Sequence, residues 1–82
     1  MPGEIVERVV KYLVTEIVDD ASQVEVEVQD EGAERVVAEV RTAKPDMGRV
    51  IGRRGRVARA IRTIAKVAGE EEGLDANVEF LD

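Results

Sequence analysis

Gly48-Arg49-Val50-Ile51-Gly52-Arg53-Arg54-Gly55-Arg56-Val57-Ala58-Arg59-Ala60-Ile61 is the segment from which the architecture of this chain follows. Gly52 and Gly55 bracket two arginines, with apolar residues directly before the bracket and at helical spacing after it. The spacing predicts a short loop between two helices that presents bare backbone and positive charge at one point. Glycine permits the tight link and removes the side chain that would hold a sugar-phosphate backbone away. The helix after the loop offers it unpaired N–H groups and the positive end of its dipole. Arg53 and Arg54 add bidentate donors for phosphate oxygens.

Downstream, the helix after Gly55 is expected to reach about Ala68, burying Val57, Ala58, Ile61, Ile64, Ala65 and Ala68. Arg56, Arg59, Arg62 and Lys66 recur every three or four residues and share its other face. On the near side, Lys44-Pro45-Asp46 ends a strand and opens a short helix from roughly Asp46 to Ile51. Gly48 is unfavourable inside that helix by about 1 kcal/mol relative to alanine. Either something comes close to the backbone there, or the cost is simply tolerated.

Further upstream, the pairs Ile5 and Val6, Val9 and Val10, Leu13 and Val14, and Ile17 and Val18 predict a helix from Glu4 to Val18. Between Gln23 and Gln29 the period drops to two, with Val24, Val26 and Val28 alternating with Glu25 and Glu27. That is a half-buried strand. Asp30-Glu31-Gly32-Ala33 signals a turn, and alternation resumes from Glu34 to Thr42 with Val36, Ala38 and Val40 inward. Val37 is the apolar exception on the outward face of this antiparallel hairpin, which otherwise carries solvated acidic residues. A last strand from Ala76 to Leu81 turns Val78 and Phe80 inward. The connection from Thr42 to Asp75 holds 34 residues and two helices, enough for a right-handed crossover that sets the last strand parallel to the second. The expected fold is α+β, in the order helix-strand-strand-helix-helix-strand, a three-stranded mixed sheet with the helices on one face.

With 82 residues there is room for one small domain, residues 1–82, and the 44% hydrophobic content argues for a folded chain despite 37% charged residues. Cysteine and histidine are both absent, which removes disulfides, thiolate metal sites and imidazole ligands or bases. Eighteen acidic residues could supply a catalytic carboxylate pair, but most alternate along strand or helix surfaces as solvated faces. The Gly-x-x-x-x-Gly-Lys-Ser/Thr phosphate loop is missing. No catalytic residue, metal or cofactor is therefore expected. No apolar run approaches the roughly 18 residues of a membrane span, and Met1-Pro2-Gly3-Glu4 lacks the basic start of a signal peptide. A cytoplasmic location without membrane contact is expected.

The net charge of −6 alone would discourage a nucleic-acid reading. Its distribution points the other way. Eight basic residues from Lys44 to Lys66 face Asp46 alone, a local +7 that leaves −13 on the remainder. A basic centre on an acidic body favours local capture of an anion and discourages indiscriminate adhesion.

Val50-Ile51-Gly52-Arg53-Arg54-Gly55 followed by a helix resembles the signature of the KH domain, whose Gly-x-x-Gly loop clamps about four nucleotides of backbone. With the hairpin and extra helix placed before the motif, the chain resembles the type II arrangement. Over nearly its whole length, including Gly48-Arg49-Val50-Ile51-Gly52 and Ala60-Ile61-Arg62-Thr63, it is similar to the small bacterial single-KH proteins of the KhpA (YlqC) family. That resemblance implies a cytoplasmic RNA-binding protein acting in post-transcriptional regulation, able to form a homodimer or to pair with a second KH protein, KhpB (Jag or EloR). Many KH domains carry a large aliphatic residue three positions after the second glycine. Ala58 stands there, so a wider groove or weaker base packing is expected.

The leading expectation is binding of single-stranded RNA. Gly52 and Gly55 allow close approach, Arg53 and Arg54 hold phosphates, Gly48, Arg49 and Ile51 line the groove, and Arg56 and Arg59 add flanking charge. Tyr12 and Phe80 are the only aromatics, and neither lies in the basic segment. Aliphatic contact and hydrogen bonds, rather than stacking platforms, are expected to read bases. The alternative is a protein-interaction subunit that dimerises or pairs with another KH protein and binds RNA only in that complex. Val37 and the flanks of the second helix of the motif are its candidate apolar surface.

Overall fold

The valine pairs of the first helix and the alternating valines of the hairpin meet in one core. A computed structural model describes residues 2–81; Met1 and Asp82, the ends of the expected 1–82 domain, lie outside the described residues. Helix α1 spans Glu4–Ile17, followed by strands β1 (Glu25–Gly32) and β2 (Arg35–Arg41). Helices α2 (Met47–Ile51) and α3 (Arg56–Glu70) precede strand β3 (Asp75–Phe80). The element order is the expected one.

In the sheet, ordered β1-β2-β3, β1 is antiparallel and β3 parallel to β2. The two-helix connection thus delivers the last strand beside the second. α1 packs on β1 and α3, and α3 packs on β3. Val6, Val10 and Val14 are fully buried from α1, because four-residue steps at about 100° per residue keep them on one side. They meet Val36 and Val40 of β2 and Val50 of α2, also fully buried.

Two carboxylates lace the connections. Glu72, beyond α3, accepts hydrogen bonds from the N–H groups of Gly3, Ile5 and Val6 at 3.1, 3.0 and 3.1 Å. It thereby satisfies donors that the start of α1 would otherwise leave without partners, at the positive end of the helix dipole. Asp46, buried at 4% exposure, accepts from the N–H groups of Asp19 and Asp20 at 3.2 and 3.1 Å. The end of α1 is thereby tied to the approach to α2.

Several local expectations are corrected. β1 begins at Glu25 rather than Gln23, because a 3₁₀ turn over Ala21–Gln23 intervenes, with the Asp20 carboxylate accepting from Ser22 N–H. The hairpin reverses two residues later than expected, at Ala33 and Glu34, with Glu31 unpaired as a bulge between the Asp30 and Gly32 pairings. Val37 is not an exposed apolar patch: only 5% of it is accessible. It sits on the middle strand, paired with Gln29 on one side and Asn77 on the other, where a strand neighbour on each side leaves a short side chain little exposure. Ile64, expected in the core, is 43% exposed. Ile61, Ala65 and Ala68 define the buried side of α3, and Ile64 falls about 100° away from Ala65.

Candidate nucleic-acid interface

From Gly52 to Gly55 the chain turns through three residues of positive φ: Gly52 at 76°, Arg54 at 57° and Gly55 at 72°. Gly52 N–H donates to the Gly48 carbonyl at 2.9 Å, closing α2, and Gly55 N–H donates to the Gly52 carbonyl at 3.0 Å. A single 3₁₀ turn, Arg53–Gly55, therefore separates α2 from α3.

The two glycines are required for different reasons. A Cβ on Gly52 would stand 2.5 Å from Val57 Cγ2, so this glycine admits the first turn of α3 as well as the backbone angle. A Cβ on Gly55 would meet nothing within 4 Å, so only its left-handed backbone calls for glycine, and the space above it is open. Gly48 is exposed and likewise has no atom within 4 Å of where a Cβ would be. None of the described residues explains its missing side chain.

The basic segment divides into engaged and unengaged residues. Arg49 pairs with Asp19 at 2.8 Å. Both side chains are largely exposed, so the pair contributes no more than about 1 kcal/mol, and an incoming phosphate can compete for Arg49. Lys66 pairs with Asp75 at 3.7 Å. Arg53, Arg54, Arg56 and Arg59 are exposed, and among the described residues none forms an ion pair. The uncompensated charge is thus concentrated on the turn and the first turns of α3. No side chain caps the start of α3.

Ile51 is half-buried against the core beside the turn, available as an apolar floor. Ala58 is buried at 2% exposure, so it lies beneath the surface rather than on an open wall. All nine residues singled out in the sequence, Gly48, Arg49, Ile51, Gly52, Arg53, Arg54, Gly55, Arg56 and Arg59, fall on α2, the turn and the start of α3.

A pair missed in the sequence stands further along. The guanidinium of Arg62 lies over the Phe80 ring, 5.1 Å from its centroid, and its Nε donates to the Val78 carbonyl at 3.3 Å. Phe80 is remote from the basic segment in the chain, but the parallel crossover returns the end of β3 to the side of α3. The only signal for it was the inward period of β3, which could not name Arg62 as the neighbour. Among the described residues, no helix is long and apolar enough to cross a membrane.

A family model described as KhpA/KhpB, KH domain matches residues 7–80. Among curated proteins, the RNA-binding protein KhpA of Caldanaerobacter subterraneus is 39% identical over 79 residues, covering 96% of this chain and 99% of the relative. The RNA-binding protein KhpA of Borreliella burgdorferi is 35% identical over 75 residues, covering 92% and 90%. That of Bacillus subtilis is 30% identical and covers both chains entirely. With the sheet order, the Gly-x-x-Gly turn between two helices and these matches in agreement, the chain belongs to the KhpA/KhpB family of KH domains.

Proposed function

We propose that residues 1–82 act as one KH unit that binds a short single-stranded RNA segment, without catalysis, through the Gly52–Gly55 turn and the adjoining Ile51 floor. The observation that carries this reading is the turn itself. It sets Arg53 and Arg54 outward without carboxylate partners among the described residues, beside open backbone at Gly48 and Gly55. Phosphates approach the two guanidiniums and the uncapped start of α3, Arg56 and Arg59 add flanking charge, and Arg49 joins when phosphate displaces Asp19. The relatives named as RNA-binding proteins support the same ligand. The reading takes the place of action to be the cytoplasm and the role to be post-transcriptional.

Arg53→Asp combined with Arg54→Asp is expected to abolish binding of RNA oligonucleotides in fluorescence anisotropy, with an unchanged circular dichroism spectrum. Three neutralised phosphates would give a slope of log affinity against log salt of about −2, at roughly −0.7 per phosphate on single strands. Unaltered binding by the double variant would falsify the clamp.

A second reading is supported by exposed apolar side chains on α1 and α3. Tyr12 is 65% exposed on α1, and Val67 and Ile64 are 57% and 43% exposed on α3. Large apolar side chains on two packed helices suit pairing with a second copy or with a KhpB-like KH protein, RNA then being bound by the complex. Sedimentation distinguishes the two readings: a strict monomer at high concentration counts against self-association.

A further inference from the structure

Arg62 differs from every other arginine near the turn in being held at three points. Its guanidinium carbon lies over the Phe80 ring, 5.1 Å from the centroid, the Val78 carbonyl accepts from Nε at 3.3 Å, and α3 fixes its backbone. No carboxylate of the described residues pairs with it, and its side chain is exposed. A planar cation held against a ring and open to solvent is a surface on which a nucleobase can stack.

Its position suits the strand that the turn would hold. Arg62 lies seven residues beyond Gly55, about 10 Å along the helix axis at 1.5 Å per residue. At about 3.4 Å per stacked nucleotide, that distance spans about three nucleotides. Arg59 stands between them on the same basic face, so a strand leaving the turn along α3 meets charge first and then the stacked pair. β3 is an edge strand, paired only with β2, so no further strand covers this side of the sheet. Tyr12, the other aromatic, is on α1, where it lines a shallow surface with Ile5, Arg8 and Val9.

The geometry points to Arg62, backed by Phe80, as a base-stacking platform at the end of the groove farthest from Gly52–Gly55. The inference rests on the RNA-binding reading and adds to it a base-contacting residue, with a preference for a purine at that nucleotide. Lysine keeps the charge of Arg62 but has no plane to stack on. The platform and a plain phosphate contact therefore respond oppositely to Arg62→Lys.

The test uses the full chain and an RNA pentamer, alongside a set of pentamers each carrying one abasic position. Arg62→Lys is expected to weaken binding of the intact pentamer about tenfold without changing the salt slope, as loss of one stacked base would. That penalty should vanish on one of the abasic pentamers, and purine should exceed pyrimidine at the same position. Phe80→Leu, checked for folding by circular dichroism, should give a similar loss on the same nucleotide. Wild-type affinity for Arg62→Lys, with Arg62→Gln making the salt slope shallower by about 0.7, would reduce Arg62 to a phosphate contact and overturn the platform. An Arg62→Lys penalty equal on every abasic pentamer would overturn it as well. Loss of binding in the Arg53→Asp, Arg54→Asp chain in the same assay keeps a failed platform distinct from a failed clamp. Absence of RNA binding by the wild-type chain overturns both.

Discussion

The hairpin turn and the Gly52–Gly55 turn share a backbone device and differ in what it accomplishes. Each holds three residues at positive φ: Gly32, Ala33 and Glu34 at 77°, 51° and 60°, and Gly52, Arg54 and Gly55 at 76°, 57° and 72°. Glycine enters this region freely, whereas alanine, glutamate and arginine each lose about 1 kcal/mol there. In the hairpin, positive φ at both central residues matches the twist of the flanking strands. The contribution of Glu34 to the rest of the fold is its backbone carbonyl, which accepts from Asp75 N–H at 2.8 Å. In the other turn, the unfavourable residue is Arg54, whose guanidinium is left unpaired beside that of Arg53. Backbone strain alone therefore does not distinguish the two turns; the Gly52–Gly55 turn differs in carrying two adjacent arginines that form no ion pair among the described residues.

Substitutions at the two turns put this contrast to the test. The largest effect is expected at Gly52→Ala, where positive φ and a Cβ 2.5 Å from Val57 Cγ2 act together. A loss of about 3 kcal/mol in urea unfolding is expected, against about 1 kcal/mol for Gly55→Ala, which meets open space. Equal losses at the two positions would show that Val57 yields easily and that the glycines are equivalent after all. Glu34→Gly should raise stability by about 0.5–1 kcal/mol and leave RNA affinity untouched, since only backbone strain is relieved. Arg54→Gly should relieve a similar strain, yet lower RNA affinity and make the salt slope shallower by about 0.7. Should Arg54→Gly leave binding and slope unchanged, the two turns would be functionally alike.

Much of the candidate site was legible because it is local. Gly52-Arg53-Arg54-Gly55 sits between two amphipathic stretches, and glycine spacing with helical periodicity is enough to place a turn there. Counting charges located the basic centre correctly but not its division, because the partners of Arg49 and Lys66 lie 30 and 9 residues away in the chain, at Asp19 and Asp75. Neither aromatic lies in the basic segment along the chain, yet in space Phe80, 18 residues beyond Arg62, lies against it.

The order of elements, the inward valines, the parallel return of the last strand and the turn that carries the arginines all follow from the amino-acid sequence. Period, glycine placement and connection length specify them, and these act over a few residues or through chain connectivity. Packing in three dimensions was needed to shelter Val37 and expose Ile64, to lace helix ends with Asp46 and Glu72, and to lay Arg62 on Phe80. Periodicity says which side of an element faces inward. What that side meets depends on burial and hydrogen-bond satisfaction between elements distant in the chain, and those are settled only when the elements pack.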